Sequence, residues 1–197
     1  MLLYKIYINK EVGDIMNLNE IILKNSIPNY FKFTNIDLNY FYRKSEENRF
    51  VNYFSSFFKE ETNIKSEIDA KIYALYKSIS DLQNNYEPIM FGIKDLTNDI
   101  LVGFALVGVD PYSKTFKIDT IYVLGNYRKL GLGNALVDVS IQLAKFQESK
   151  VIKLKTLKSY KFIVEMYKKF GFIEHRIIPN ELNEIGLENF VEYIKYL

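Results

Sequence analysis

The sequence predicts an α/β (α+β) fold, with an extended helical N-terminal region followed by a strand-rich region. Apolar residues recur at helical spacing between positions 45 and 82, and the pattern changes to the short period of strands after Pro88. Two more helical segments then separate the strands. The second region therefore reads as three strands, a helix, a strand, a helix and two strands.

In the N-terminal region, the two long helices are predicted because aromatic or aliphatic side chains recur every three or four residues. Ser66 is a suitable N-cap for the second of these helices. The expected elements are a strand at Leu2–Ile8, a short helix capped by Asp14, a strand or irregular segment at Phe31–Tyr42, and helices at Ser45–Lys59 and Ser66–Leu82.

In the strand-rich region, turn-forming residues bound the elements. Asp95–Asp99 and Asp110–Ser113 are polar turns, and Gly171 suits the position just after a helix. The chain length suits one domain over residues 1–197, with an extended helical part at 1–85 and a core at 86–197. The expected elements are strands at Ile89–Lys94, Ile100–Val109 and Thr115–Val123, a helix at Gly131–Glu148, a strand at Val151–Thr156, a helix at Ser159–Phe170, and strands at Phe172–Ile178 and Phe190–Tyr196.

The composition argues against several classes of protein. The chain is 48% hydrophobic and 25% charged, which supports a sizeable core, and its net charge of +2 argues against nucleic-acid binding. The absence of cysteine excludes disulfides, thiolate nucleophiles and cysteine-ligated metals, and a single histidine disfavours other metal sites, so no metal is expected. We find no apolar run long enough for a bilayer and no secretory signal, so we expect no membrane partner and a cytoplasmic location.

Between Val123 and Leu136, a strand end leads through a short loop into a helix that begins among glycines. The first turn of a helix leaves its N–H groups without internal partners and carries partial positive charge, so it binds phosphate readily. Gly131 and Gly133 allow close approach of the backbone, and Arg128 adds a permanent cation. The segment therefore predicts a site for a ligand that carries a pyrophosphate.

Two motifs in this region resemble those of one family. Arg128-x-x-Gly131-x-Gly133 resembles the Arg/Gln-x-x-Gly-x-Gly/Ala motif of the GNAT family of N-acetyltransferases, and residues 166–172, Met-Tyr-Lys-Lys-Phe-Gly-Phe, resemble its Leu-Tyr-x-Lys-x-Gly-Phe segment. The P-loop and dinucleotide-binding patterns do not match. The resemblance runs from about residue 88 to about residue 178. It implies a GNAT-like fold: a mixed, mostly antiparallel central sheet flanked by helices, with residues 86–197 as the acetyl-CoA-binding core.

The resemblance also implies which residues bind the cofactor, acetyl-CoA, which acts as co-substrate. Tyr122 and Val123 are expected against its acetyl and pantetheine groups. Gly125 stands where many members have proline, which should loosen the loop. A lysine-rich stretch over residues 150–169 is expected to attract the cofactor's phosphates through one or two of its members. The remaining cofactor-binding candidates are Arg128, Lys129, Leu130, Gly131, Leu132, Gly133, Asn134, Ser159, Tyr160, Tyr167 and Lys169.

The catalytic candidates follow from the same resemblance. The Val123 N–H is expected to donate to the oxyanion that forms as the thioester is attacked. Asp119, four residues earlier on the same strand, is the candidate base, and the competing interpretation is an outward-facing strand carboxylate. Tyr167 occupies the family's general-acid position, and the competing interpretation is a half-buried tyrosine on an amphipathic helix.

The activity expected from the sequence is transfer of an acetyl group from acetyl-CoA to an amine. Because the chain has no cysteine to carry the acetyl group, direct transfer is expected. The acceptor stays open between a small amine, an amino sugar, an aminoglycoside, and a protein N-terminus or lysine. The alternative is a non-catalytic acyl-CoA-binding sensor or interaction module on the same fold. A homodimer is also left open.

Overall fold

The computed structural model describes residues 27–36, 38, 47–179 and 188–197. The strands of this part are β1 (Phe31–Asn35), β2 (Glu87–Asp95), β3 (Ile100–Asp110), β4 (Thr115–Val123), β5 (Val151–Leu157), β6 (Ile173–Ile178) and β7 (Phe190–Tyr196). The helices are α1 (Glu47–Lys59), α2 (Lys65–Gln83), α3 (Leu132–Phe146) and α4 (Lys161–Lys169), with a 3₁₀ turn at Gly125–Tyr127.

The described strands form one seven-stranded sheet in the order β1-β2-β3-β4-β5-β7-β6. Strand β1 is antiparallel to β2, both β5 and β6 are antiparallel to β7, and β4 is parallel to β5. This mixed, mostly antiparallel sheet with flanking helices confirms the predicted fold class. In the described part of the chain, no helix combines the length and the apolar character needed to cross a membrane.

The parallel pairing of β4 with β5 is short. It runs from Thr115 opposite Val151 to Ile118 opposite Leu154, although β4 continues for five residues to Val123. The last part of β4 therefore has backbone groups that β5 does not use.

The predicted element bounds agree closely with the structure in the strand-rich region. Strands β4 and β7 have the predicted bounds, whereas α4 begins two residues later than predicted. The N-cap prediction for Ser66 is wrong, because α2 already begins at Lys65. Just before that helix, the Thr62 hydroxyl accepts a hydrogen bond from the Ile64 N–H. The strand predicted at Leu2–Ile8 and the helix predicted after Asp14 lie outside the described residues.

The chain divides into two compact units. The expectation that residues 1–197 form a single domain stays a prediction. The first unit consists of Met1–Tyr76, Met90–Ala105 and Ile121–Val139. Its core contains aromatic rings that meet at 4.8–6.2 Å between centroids. The ring of Tyr122 stacks on Phe104 at 5.8 Å with an interplanar angle of 7°, so the core fixes its position. The aromatic core residues of α1 are Phe50, Phe54, Phe57 and Phe58.

The second unit consists of Lys77–Ile89, Leu106–Thr120 and Ser140–Leu197. Its fully buried side chains include Leu82, Phe116, Ile152 and Tyr193. Close packing extends to Gly108, where an added Cβ would lie 2.6 Å from Leu82 Cδ2. Substituents at this glycine would therefore overlap the core of the unit.

Helix α4 in the second unit ends in a Schellman motif. The Gly171 N–H donates to the Lys168 carbonyl at 2.9 Å, and the Phe172 N–H donates to the Tyr167 carbonyl at 3.1 Å. Gly171 has φ 82°, a conformation that glycine adopts without strain. The predicted position of Gly171 just after the helix is confirmed.

Candidate active site

The loop after β4 is fixed by contacts on both sides of its 3₁₀ turn. Leu124 is buried, and its N–H donates to the Val102 carbonyl at 2.9 Å. At the end of the turn, the Tyr127 hydroxyl donates to Asp95 Oδ2 at 3.0 Å. These contacts hold the loop at its start and at its turn, before the glycine-containing segment begins.

The segment after the turn contains two residues of positive φ and leads into a helix. Lys129 and Gly131 have φ 66° and 82°, and no atom lies within 4 Å of the place where a Gly131 Cβ would stand. Helix α3 begins at Leu132, and the Ala135 N–H donates to the Gly131 carbonyl at 3.0 Å. The N–H groups of the first turn, up to Asn134, have no carbonyl within the helix to bind. Residues 128–131 and Asn134 are therefore exposed at the positive end of a helix, while the Leu132 side chain is buried beneath them.

The carboxylate of Glu61, in the connection between α1 and α2, binds this loop and the end of β4. Its Oε1 accepts hydrogen bonds from the Gly125 N–H at 2.8 Å and from the Arg128 guanidinium at 3.2 Å. Its Oε2 accepts from the Lys71 ammonium at 2.8 Å and from the Tyr122 hydroxyl. The Glu61 side chain is only 14% exposed. One carboxylate thus connects α2, β4 and the candidate phosphate-binding loop.

These contacts determine the ionisation of the three side chains around Oε2. Partial burial acts to raise the pKa of Glu61, but the hydrogen bonds from Lys71, Tyr122 and Gly125 outweigh it and hold that pKa below its ordinary value. Burial acts to lower the pKa of Lys71, and its bonds to Glu61 and Tyr122 raise it overall. Burial and the bond to Glu61 raise the pKa of Tyr122. At neutral pH the group is therefore a carboxylate, an ammonium and a neutral phenol.

Sequence reasoning missed Glu61. It lies 64 residues before Gly125 and in neither motif. The one local signal was glycine at position 125, where the family often has proline. Proline has no N–H, whereas the Gly125 N–H donates to Glu61. Gly125 therefore supplies one of the loop's anchors, and the expectation that it loosens the loop stays a prediction.

Asp119 lies in the second unit, and its carboxylate is engaged. Asp119 Oδ1 is 2.7 Å from the Lys117 ammonium, and the Thr120 hydroxyl donates to Oδ2 at 3.2 Å. Its side chain is 10% exposed, so it is not the solvated outward-facing carboxylate of the competing interpretation. Its role as a base stays a prediction.

Tyr167 is buried on α4 in the second unit. Its ring packs against Phe172 at 5.7 Å between centroids. Burial raises the pKa of Tyr167 to about 12, so the phenol keeps its proton at neutral pH. A phenol in this state can donate a hydrogen bond or a proton.

The other cofactor candidates around α4 are exposed. Ser159 and Tyr160 precede the helix, and the Ser159 N–H donates to the Glu188 carboxylate at 3.1 Å. Lys169 is in the last turn of α4. Together with Asp119 and Tyr167 these residues lie in the second unit, whereas Tyr122, Val123 and residues 128–134 lie in the first. Among the residues that the structure describes, no group of three or more histidine or acidic side chains is placed to hold a metal ion.

Replacing Glu61 by Gln should lower the free energy of unfolding by about 2 kcal/mol at pH 7, since hydrogen bonds to charged groups contribute that much. Folding lowers the pKa of Glu61, so its stabilisation is fully present above the pKa of the unfolded chain and is lost as the pH falls through the lower folded-state value. The difference in unfolding free energy between the parent and the Glu61→Gln variant should therefore shrink below about pH 4. Urea unfolding at several pH values measures it.

The matched control for this prediction is Glu60→Gln, which removes the same charge from the exposed neighbouring residue. We expect that change to alter the unfolding free energy by less than about 0.5 kcal/mol. An equal effect of both substitutions, or a Glu61→Gln effect that does not depend on pH, would contradict the prediction.

Comparison with known proteins gives a consistent result. The model of the acetyltransferase (GNAT) family matches residues 48–172. The structure of a nourseothricin acetyltransferase is 16% identical, with 55% of this chain and 65% of that chain covered and a TM-score of 0.50. The ribosomal-protein-S18-alanine N-acetyltransferase from Escherichia coli is 16% identical, with 84% and 93% covered and a TM-score of 0.56. A GNAT family acetyltransferase from Elizabethkingia anophelis, with acetyl-CoA bound, is 14% identical, with 86% and 100% covered and a TM-score of 0.53.

No curated protein sequence matches the chain. The structural matches, at such low identity, show the fold alone. The family model extends over more than half of the chain, and both motifs, at residues 128–133 and 166–172, lie inside its range. The chain therefore belongs to the GNAT family of acetyltransferases.

Proposed function

We propose that the protein transfers the acetyl group of acetyl-CoA directly to the amine of an acceptor. The observation that carries the proposal is the segment from Arg128 to Asn134, which has two positive φ angles, open space at Gly131 and a helix start directly after it. This combination suits a pyrophosphate. Direct transfer is favoured because the chain has no cysteine to carry the acetyl group.

Cofactor binding divides between the loop and the end of β4. The first-turn N–H groups of α3 bind the pyrophosphate, and Arg128, whose guanidinium also donates to the Val123 carbonyl at 3.0 Å, is oriented beside them. The side chain of Arg128 is 59% exposed, which leaves donors for the ligand. The backbone of β4 beyond Ile118, unused by β5, accepts the pantetheine arm as an added strand would pair. The acetyl-CoA bound in the Elizabethkingia anophelis relative supports this choice of cofactor.

The proposed reaction uses three groups of this chain. The Val123 N–H donates to the thioester carbonyl oxygen, where negative charge develops as the amine nitrogen bonds to the carbonyl carbon. Asp119 accepts the proton that this nitrogen loses, directly or through a water molecule. As the carbon–sulfur bond breaks, the Tyr167 hydroxyl gives its proton to the departing thiolate, and the phenolate regains a proton from solvent.

Release of free thiol from acetyl-CoA across a panel of amines tests this function, with calorimetry of coenzyme A binding alongside. Thiol release with at least one amine is the expected result. Tight binding of coenzyme A without thiol release from any amine would favour the non-catalytic acyl-CoA sensor instead. Failure to bind coenzyme A at all would overturn both functions.

Gly131→Val and Gly133→Val should each raise the dissociation constant for coenzyme A by about 10-fold or more. A β-branched residue resists the φ of 82° at Gly131, and side chains at either position block close approach of the phosphates. Gly125→Ala is the control, because the nearest atom to its new Cβ would be 3.6 Å away and its N–H is kept. Unchanged affinity in both valine variants would rule out this loop as the phosphate site.

Tyr167→Phe should lower kcat by about 10²-fold while leaving the affinity for acetyl-CoA near that of the parent. With a pKa of about 12, the Tyr167 hydroxyl stays protonated below that pH, so the variant should show the same limbs in its pH–rate profile between pH 6 and 10. Tyr112→Phe, at a fully solvated turn position, is the control. A fully active Tyr167→Phe enzyme would leave this tyrosine a packing role only.

Asp119→Asn should reduce kcat by about 10²–10⁴-fold, the usual effect of losing a general base. The loss of kcat should be smaller for an acceptor amine of low pKa, since a smaller fraction of that amine is protonated and must lose a proton before attack. Steady-state rates with two amines of different pKa measure this, and Asp81→Asn, an exposed carboxylate on α2, is the control. Parent rates in Asp119→Asn with both amines would show that another group removes the proton.

A further inference from the structure

A small pocket with charged residues in its lining, in the second unit, has no part in the function proposed so far. Its volume is about 180 Å³, well below the 300 Å³ or more of a typical site for a whole drug-sized ligand. A space of this size suits one small charged group. It is lined by Tyr86, Lys117, Lys153, Leu154, Lys155, Ile178 and Glu192.

The lysines converge because of the strand register. The parallel pairing of β4 with β5 puts Lys117 directly beside Lys153. Lys155 follows two residues later on β5 and therefore points to the same face as Lys153. Like charges placed next to one another across strands destabilise a sheet. The fold thus places three lysine residues around one pocket, at a cost that a bound anion would offset.

One of the three lysines is already paired. The Lys117 ammonium lies 2.7 Å from Asp119 Oδ1 and 5.8 Å from the centre of the Tyr86 ring. Asp119 is the base of the proposed reaction. An anion bound among the lysines would therefore lie one ion pair away from the carboxylate that accepts the amine proton.

Glu192, the acid that lines the pocket, stands opposite Lys155 in the β5–β7 register, but its carboxylate is bound by another cation. Glu192 Oε1 accepts a hydrogen bond from the Arg176 guanidinium at 2.9 Å. The Lys155 ammonium lies 5.2 Å from the centre of the Phe190 ring. Neither Lys153 nor Lys155 has a carboxylate within ion-pair distance among the residues that the structure describes. The pocket therefore carries excess positive charge.

We propose that this pocket binds an anionic group of the acceptor, a carboxylate or a phosphate, so that the substrate is an amine that also carries negative charge. The identification of the ligand as the acceptor rests on the proposed function. The binding of an anion by the three lysines rests on the pocket alone.

Matched acceptors test the proposal in the acetyl-transfer assay. One pair is 2-aminoethyl phosphate and 2-aminoethanol, and the other is the dipeptide amides Ala-Glu and Ala-Gln. The anionic member should have the higher kcat/KM in the pair that fits. The preference is the ratio of kcat/KM for the anionic member to that for the neutral member. In the double variant Lys153→Gln/Lys155→Gln this ratio should fall by about 10- to 100-fold, which is the effect of losing a hydrogen bond to a charged group. The change should be mainly in KM. The two pairs distinguish a phosphate ligand from a carboxylate ligand.

Two control variants separate the pocket from net charge. Lys145→Gln removes one positive charge from an exposed position on α3 that does not line the pocket, and it should keep the preference. Lys153→Arg keeps the positive charge at the pocket and should also keep the preference for the anionic acceptor. A loss of preference as large in Lys145→Gln as in the double variant would overturn the proposal.

A binding measurement makes the result independent of catalysis. With coenzyme A saturating, so that the phosphate loop is occupied, calorimetry should show that 2-aminoethyl phosphate or the Ala-Glu amide binds the parent about 10-fold or more tightly than the double variant. Acetylation of both members of each pair at equal kcat/KM would overturn the pocket and leave the proposed function standing. Lysine-dependent binding without acetylation of any amine would keep the anion site and overturn the proposed function. Binding of neither anion by the parent would overturn the pocket.

Discussion

The Glu61 carboxylate is the contact on which the candidate active site depends. It accepts hydrogen bonds from the Gly125 N–H, the Arg128 guanidinium, the Lys71 ammonium and the Tyr122 hydroxyl. Glu61 is largely buried, so each of its donors stabilises the carboxylate charge. Removing the carboxylate would leave the Lys71 ammonium with the Tyr122 hydroxyl but without an ion-pair partner. The end of β4 and the loop that follows it are therefore held in place by a residue of the helical N-terminal region.

Local sequence signals account for the part of the site that could be predicted. Gly131 at positive φ, the helix start at Leu132 and the glycine that ends α4 all follow rules that involve neighbours in the chain. The same holds for the bounds of β4. Glu61 escaped prediction because its partner Gly125 is 64 residues away, and no periodicity or cap carries information over that distance. The lysine pocket needed the β4–β5 register, which places Lys117 beside Lys153 and cannot be read from either strand alone.

The side chains of Tyr167, Asp119 and Glu61 have different surroundings. Burial raises the pKa of Tyr167 to about 12, so the phenol is neutral over the whole physiological range of pH and can donate a proton. The Lys117 ammonium pairs with the Asp119 carboxylate in the second unit. Glu61, whose pKa is lowered by its donors, is suited to hold a loop and not to accept a proton. Glu61 is thus an anchor in the first unit, whereas the two proposed proton-transfer groups belong to the second unit.

The exchange rate of the Gly125 backbone amide with water, measured by NMR, tests most directly whether Glu61 holds the loop. The N–H donates to Glu61 Oε1 at 2.8 Å, so exchange should be slow in the parent and about 10-fold or more faster in Glu61→Ala, in line with the loss of a hydrogen bond to a charged group. Glu60→Ala should leave the rate unchanged. Equal exchange rates of Gly125 in the parent and in Glu61→Ala would show that the carboxylate does not hold the loop.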